Sequence, residues 1–206
     1  MFGQKRRCED VGMAIEIAAV RIFEGREIPP AGRWIIDPLH SQVEFSVRHM
    51  MIAKVRGRFT VFGGEIDVAE VPEASSVEVE IDATSIQTGD DQRDTHLRSA
   101  DFLDVERYPK LVYRSTSVRP APSPTSWEVI GNLSIRDVTR PVRLETEFTG
   151  AVTDPFGNFR TGFSAHGDIN REDFGVNWNQ ALEAGGFVVG KTVHTALEIE
   201  AILRSS

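Results

Sequence analysis

At 206 residues the chain can form one large β domain or two small ones, and it is long enough to bury a sizeable core. Its net charge of −8, from 23 basic and 31 acidic residues, argues against a nucleic-acid binder, because a phosphate backbone needs a basic surface. The single cysteine, Cys8, excludes a disulfide within the chain, and no run approaches the ~18 apolar residues of a membrane-spanning helix.

Residues 1–32 stand apart as an N-terminal extension. Lys5, Arg6 and Arg7 resemble the basic start of an export signal, but the segment from Val11 to Phe23 is broken by Glu16 and Arg21 and lacks a clean cleavage site. The expectation is therefore no signal peptide and a cytoplasmic location. Ala14 to Phe23 fits a short helix or an added strand equally well. Gly25, Pro29, Pro30 and Gly32 then punctuate a linker. Such an extension is either mobile or an arm that packs on the domain or on a partner subunit.

The domain proper takes residues 33–206. Arg33 to Asp37 reads as a short strand stopped by Pro38. The stretch from Ile36 to Phe62 organises the rest of the domain. Val43, Phe45 and Val47 alternate, the apolar cluster Met50, Met51 and Ile52 interrupts, and Val55, Gly57, Phe59 and Val61 alternate again. Period-two alternation predicts two strands with one face buried, over Gln42 to Arg48 and Arg56 to Phe62. The Met-Met-Ile insert is too apolar for an ordinary solvated turn and is expected to close or line one end of the domain. Gly63-Gly64 reads as a turn, Glu65 to Val68 as a continuation and Pro72 to Ser76 as a loop. Ser76 to Ala83 alternates strictly, with Val77, Val79 and Ile81 inward and Glu78, Glu80 and Asp82 outward.

Thr88 to Tyr108 changes character, being polar, charged and free of β-branched runs. Asp90 or Asp91 caps a helix expected to run to about Ser99, with Phe102 and Leu103 returning to an apolar contact. Strands resume over Lys110 to Val118. A hairpin comes next over Trp127 to Arg136 and Pro141 to Gly150, turning around Asp137-Val138-Thr139. The last strands cover Phe159 to Asn170 and Lys191 to Leu203, with an irregular Gly- and Asn-rich segment between them. The total is about eight antiparallel strands with a helical insert between the middle ones, an all-β sandwich or barrel.

Few residues offer chemistry. Asp94 and His96 fit an acid–base pair, but positions two apart on a helix point in different directions and no nucleophile accompanies them. Arg93, Asp94 and His96 serve as well to tie the insert to the strands, or to meet a ligand head group. His40, His49, His96, His166 and His194 are scattered without metal-ligand spacing, so no metal site is expected. Parity turns His166 and His194 outward. Ser41 and Ser99 lack a Gly-x-Ser-x-Gly elbow. Asn170, Arg171 and Asp173 suit a compact turn that bonds exposed backbone. Phe45, Phe59, Phe148 and Phe163 fall on inward positions, which fits a solid core or a hollow barrel alike.

Several motifs in order carry a resemblance. They include Trp34-x-Ile36-Asp37-Pro38-x-His40-Ser41, Phe45-Ser46-Val47-Arg48-His49, Lys54-Val55-Arg56-Gly57-Arg58-Phe59, Thr88-Gly89, Arg93-Asp94-x-His96-Leu97, Asp101-Phe102 and Tyr108-Pro109. Later in the chain stand Gly131-Asn132-Leu133-Ser134-Ile135, Thr139-Arg140-Pro141-Val142 and Ile169-Asn170-Arg171-x-Asp173-Phe174-Gly175. From about Trp34 to Leu203 the chain resembles the YceI-like family of lipocalin-like, polyisoprenoid-binding proteins. That resemblance implies an antiparallel lipocalin-like β-barrel around an elongated apolar pocket, holding a polyisoprenoid or an isoprenoid quinone as ligand. It brings no catalytic residues and no other cofactor, and many relatives begin with an export signal. By parity the wall would be Phe45, Val47, Phe59, Val79, Ile81, Tyr113, Leu133, Leu144, Phe148, Phe163, Leu197 and Ile199. Met50 and Met51 would stand at the barrel end with Phe102 near the insert, and Arg93 and His96 would meet a head group. The expected function is non-catalytic binding or transport of this lipid. An enzyme using Asp94 and His96 on an apolar substrate, and a filled-core stress-response protein, are the alternatives. The partners expected are the lipid, no nucleic acid and no integral membrane span, and β edges and the extension leave room for a homodimer.

Overall fold

A computed structural model describes residues 20–181 and 186–204. Cys8 and residues 14–19 lie outside them. The described chain opens with a small hairpin, β1 (Arg21–Phe23) and β2 (Arg26–Ile28), and continues through β3 (Gly32–Ile36), β4 (Gln42–His49), β5 (Ala53–Phe59), β6 (Phe62–Val68), β7 (Ser76–Asp82) and β8 (Ile86–Gln87). One helix, α1 (Asp91–Arg98), precedes β9 (Lys110–Pro120), β10 (Ser126–Ile135), β11 (Val138–Thr153), β12 (Phe159–Asn170) and β13 (Val189–Leu203). Short 3₁₀ turns occupy Pro72–Ala74, Ala83–Ser85 and Arg171–Phe174. No described helix is long and apolar enough to cross a membrane.

The strands form the antiparallel barrel that the family resemblance implies, one of the two architectures left open by the alternation. In order, β3, β6, β7, β9, β10, β11, β12 and β13 pair around a ring that β13 closes. Closure leaves these strands no open edge. The long β13 forks along its free side: Ala201 to Leu203 pair with β3, whereas Val189 to Glu198 pair with β4. Thus β3 and β4 act as two halves of one bent stave, and β5 and β6 as two halves of its neighbour. Among the described residues the outer edge of β5 pairs only with the short β8, at Arg58 and Phe59. Helix α1 lies beside that gap.

Two local expectations are corrected. Gly63-Gly64 is not a turn; both residues lie inside β6, opposite Glu80 and Val79. A methyl group at Gly64 would collide with the Glu78 carbonyl oxygen, so the glycine permits close strand contact rather than chain reversal. The bend falls instead at Thr60-Val61 and leaves Val61 exposed rather than inward. The β10–β11 turn also sits earlier than expected, at Arg136-Asp137, with Arg136 in the left-handed region at φ 58°.

The N-terminal hairpin packs on the barrel as an arm. Ile28 is buried in the same cluster as Phe102, Tyr113, Trp127 and Phe174. Arg21 donates to the Ala69 carbonyl at 2.8 Å, and Arg26 donates to the Ala121 carbonyl at 2.7 Å while lying over the Trp127 ring. A second cluster gathers Trp34, Ile36, Val43, Phe62, Ile66 and Ala201. Trp34 is fully buried and still satisfies its indole N–H at the Pro30 carbonyl, 3.2 Å away.

Candidate functional site: an apolar cavity through the barrel

Val79, Phe163 and Leu197 face inward yet are only partly buried. Their remaining exposure is to an internal space, because the ring of strands shields them from outside. That space is a cavity of about 730 Å³. The barrel is therefore hollow, which composition alone leaves undecided.

The strands place the expected wall residues around it. Phe45 and Val47 come from β4, Phe59 from β5, and Val79 and Ile81 from β7. Tyr113, Leu133, Leu144 and Phe148 come from β9, β10 and β11. Phe163 comes from β12, and Leu197 and Ile199 from β13. The polar content of this wall is low and neutralised. Tyr113 donates its hydroxyl to the Val129 carbonyl at 3.1 Å, and burial pushes its pKa up to about 12, so the phenol stays uncharged. Gly57 lets the wall pack: a methyl group there would collide with Cζ of Phe45, whose ring leans on Phe59 with centroids 5.7 Å apart.

Helix α1 brings Arg93 and His96 to the cavity, with Phe102 beyond it. Asp90 caps the helix by accepting the Arg93 backbone N–H at 2.8 Å. The buried Asp94 carboxylate accepts the Thr88 backbone N–H at 2.9 Å and the Thr88 hydroxyl. Thr88 in turn accepts from Arg93 Nε at 2.7 Å through its hydroxyl and from Nη2 at 3.0 Å through its carbonyl. Arg98 donates to the Thr84 and Ile86 carbonyls. The insert is thus clamped by its own charged residues.

Asp94 and His96 are not brought together. Asp94 is spent on Thr88, while His96 Nε2 meets Asp101 at 2.8 Å and its ring packs edge-on against Phe102 and Trp178. Met50 and Met51 depart from the expected placement as well. They form the exposed tip of the β4–β5 hairpin and do not line the cavity, because the turn carries them past the end of the wall.

Sequence reasoning misses other lining residues. Ile28 comes from the extension, Leu97 from the helix, and Val176, Trp178 and Val188 from the irregular segment before β13. A lone Trp in a Gly- and Asn-rich loop is the one signal that could have flagged Trp178. Arg171 is buried and holds that segment in place, donating to the carbonyls of Val176 at 2.6 Å, Trp178 at 2.9 Å and Gly190 at 2.9 Å. Desolvation lowers its pKa below the ordinary arginine value.

At Asp37, His40 and Glu200 three potential ligand atoms lie within 4.8 Å of one another. The Arg160 guanidinium occupies the same place, bonding Asp37 at 2.8 Å, Glu200 at 2.5 Å and Asp154 at 2.7 Å. That cluster is a charge-paired knot joining the bend after β3 to the β11–β12 turn. The outward His166 and His194 pair with Glu145 and Asp168.

Comparison with known proteins agrees with this architecture. A family model described as the YceI-like domain matches residues 34–201. A UPF0312 protein of Staphylococcus aureus is 37% identical over 162 residues, spanning 76% of this chain and 90% of that protein. Among solved structures, Burkholderia cenocepacia BcnA superposes with a TM-score of 0.70 at 19% identity, over 80% of this chain and 98% of that one. The Campylobacter jejuni YCEI protein gives 0.64 at 24% identity, over 77% and 90%. A polyisoprenoid binding domain from Saccharophagus degradans gives 0.59 at 16% identity, over 85% and 100%. At these identities the solved structures bear on the fold alone.

Proposed function

The chain belongs to the YceI-like family, and from that premise we propose that it binds and carries a long-chain polyisoprenoid, or a quinone with such a tail, inside its barrel. The observation that carries the reading is the apolar cavity of about 730 Å³ inside the barrel. Apolar burial is non-directional, so a long tail needs little more than a dry tube with few polar anchors. A methylene group is about water-sized, so at roughly 30 Å³ per carbon the cavity takes about five isoprene units. Longer tails would extend through an end of the barrel. Arg93, held by Thr88 through Nε and Nη2, lines the cavity, where its guanidinium would meet a polar head group. The polyisoprenoid-binding domain with the same fold supports the choice of ligand class.

The role is non-catalytic on this reading. His96 and Asp94 are committed to Asp101 and Thr88 respectively and do not meet as an acid–base pair. Native mass spectrometry of the purified protein, followed by organic extraction, tests the proposal. A co-purifying polyprenyl compound is expected. Repeated absence of one, together with no uptake of added prenylquinones, refutes it.

A further inference from the structure

The β4–β5 hairpin breaks several local rules at once. Its turn, His49 to Ile52, is closed by the Ile52 N–H donating to the His49 carbonyl at 3.1 Å. Both central residues have positive φ, 49° at Met50 and 62° at Met51. Such turns favour Asn and Gly, since a side chain in the left-handed region is strained. Here two methionines take those positions, and their side chains are not buried in return. Met50 is 41% exposed, Met51 63% and Ile52 81%. Phe187, beside Val188 whose carbonyl accepts the Met50 N–H, adds another exposed apolar ring.

The stem of the same hairpin is basic. Arg48 stands directly opposite Lys54, a like-charge pair that disfavours the ladder. Arg56 and Arg58 come next along β5, and all of these side chains are exposed. None has an acidic partner within ion-pair distance among the described residues. Elsewhere on the barrel several cations are paired across strands, Arg33 with Glu65, Lys110 with Glu80, Arg114 with Glu78 and Arg143 with Glu128, whereas on the stem Glu44 stands opposite Arg58 in the register without forming an ion pair. In a chain of net charge −8, a strip of exposed cations thus lies beneath an apolar tip without an ion pair among the described residues.

We propose that the β4–β5 hairpin is a docking element for an anionic lipid bilayer, with Met50, Met51, Ile52 and Phe187 entering the interface and Arg48, Lys54, Arg56 and Arg58 meeting the head groups. An apolar wedge collared by cations matches the two layers of a leaflet edge. The acidic remainder of the molecule is repelled by the same surface and so orients the tip toward it. The hairpin also adjoins the cavity: His49 and Val55 line it, and β5 carries the incompletely paired edge beside α1. Docking would present that end of the barrel to the membrane. The docking itself does not depend on the ligand reading above.

Flotation of the full chain with vesicles tests the proposal. Binding is expected to vesicles of equal phosphatidylglycerol and phosphatidylcholine, to weaken on phosphatidylcholine alone, and to fall with added salt. Each cation removed from a surface that meets an anionic leaflet lowers affinity about fivefold, so the Lys54→Ala, Arg56→Ala double variant should lose about 30-fold. Ile52→Asp should abolish flotation with the melting temperature unchanged. Arg114→Ala, on another strand, should bind as the parent. Ala165→Phe, a cavity-wall change, should also still float, which separates docking from lipid uptake. The inference is overturned if the parent fails to float, if the tip and stem variants float as well as the parent, or if Ala165→Phe alone abolishes it. It is equally overturned if Ile52→Asp only converts a dimer to a monomer in size-exclusion chromatography, which would make the tip a contact between copies.

Discussion

Ala165 offers a direct measure of the cavity as a ruler for tail length. It lies on the inner face of β12, with Thr146 opposite on β11 and Leu197 opposite on β13, and it lines the cavity. Ala165→Phe adds six ring carbons; at about 30 Å³ each they take about 180 Å³, about a quarter of the space. Tails should fit the parent up to about five isoprene units and the variant up to between about three and four. Below that limit each five-carbon unit contributes roughly 1.5–4 kcal/mol, the lower figure from the efficiency of larger ligands and the upper from full methylene burial. Above the limit, affinity should stop rising. Prenylquinones of increasing tail length, titrated while following quenching of Trp127 and Trp178 on the wall, read both plateaus. The ring enters open space rather than a packed core, so the variant should melt within a few degrees of the parent. A folded variant with the parent's plateau would show that the tail does not lie along this wall.

Gly131 touches Tyr113 so closely that a methyl there would stand 2.5 Å from Cζ and 2.6 Å from the Arg114 carbonyl oxygen; Gly131→Ala should cost about 1–3 kcal/mol in urea unfolding, and an unchanged midpoint would mean the strands yield freely. Asp94→Ala leaves the Thr88 N–H without its acceptor and should destabilise the protein by about 1–3 kcal/mol, with hydrogen exchange rising first in α1; uniform exchange would place the clamp elsewhere. The Arg160 knot predicts an acid dependence. The Arg160 hydrogen bond, then that of Asn158, holds Asp154 well below the usual carboxylate range. At Asp37 burial pulls upward, but hydrogen bonds from Arg160 and His40 outweigh it and the pKa is again lowered. A depressed carboxylate stabilises the fold fully above its unfolded value, near ~4, and loses that contribution as pH falls through its folded value. The parent should therefore lose stability below about pH 4, and Arg160→Gln, less stable at pH 7, should lose less there. Parallel acid limbs in denaturant titrations of the two proteins would count against the knot.

Much of the fold was legible because a half-buried strand writes its burial into alternate residues. Val77, Val79 and Ile81 face the cavity and Glu78 and Glu80 face solvent, as their order along β7 requires. The Asp90 cap and the polar run after it mark α1 for an equally local reason. Glycine was ambiguous, because Gly63-Gly64 satisfies a turn and a tight strand crossing alike, and only the Glu78 backbone across the sheet selects one. The hairpin tip was misplaced for a similar reason: apolar character locates Met50 and Met51 at an end of the barrel, but not on which side of its wall.

The sequence by itself determined an all-β domain, sandwich or barrel, and the inner and outer face of each strand, since side-chain parity is a property of the strand alone. Tertiary structure decided the rest. Whether the inward residues meet or leave a space of about 730 Å³ depends on the ring's diameter, which pairing across distant strands sets. The fork of β13 between β3 and β4, the arm that buries Ile28, and the carbonyl cage that Arg171 gathers join residues far apart in the chain, so no local pattern carries them. The basic stem under the exposed methionines obeys the same logic. Its charges are plain in the order of residues, but that they make no ion pair among the described residues is a fact about their neighbours in space.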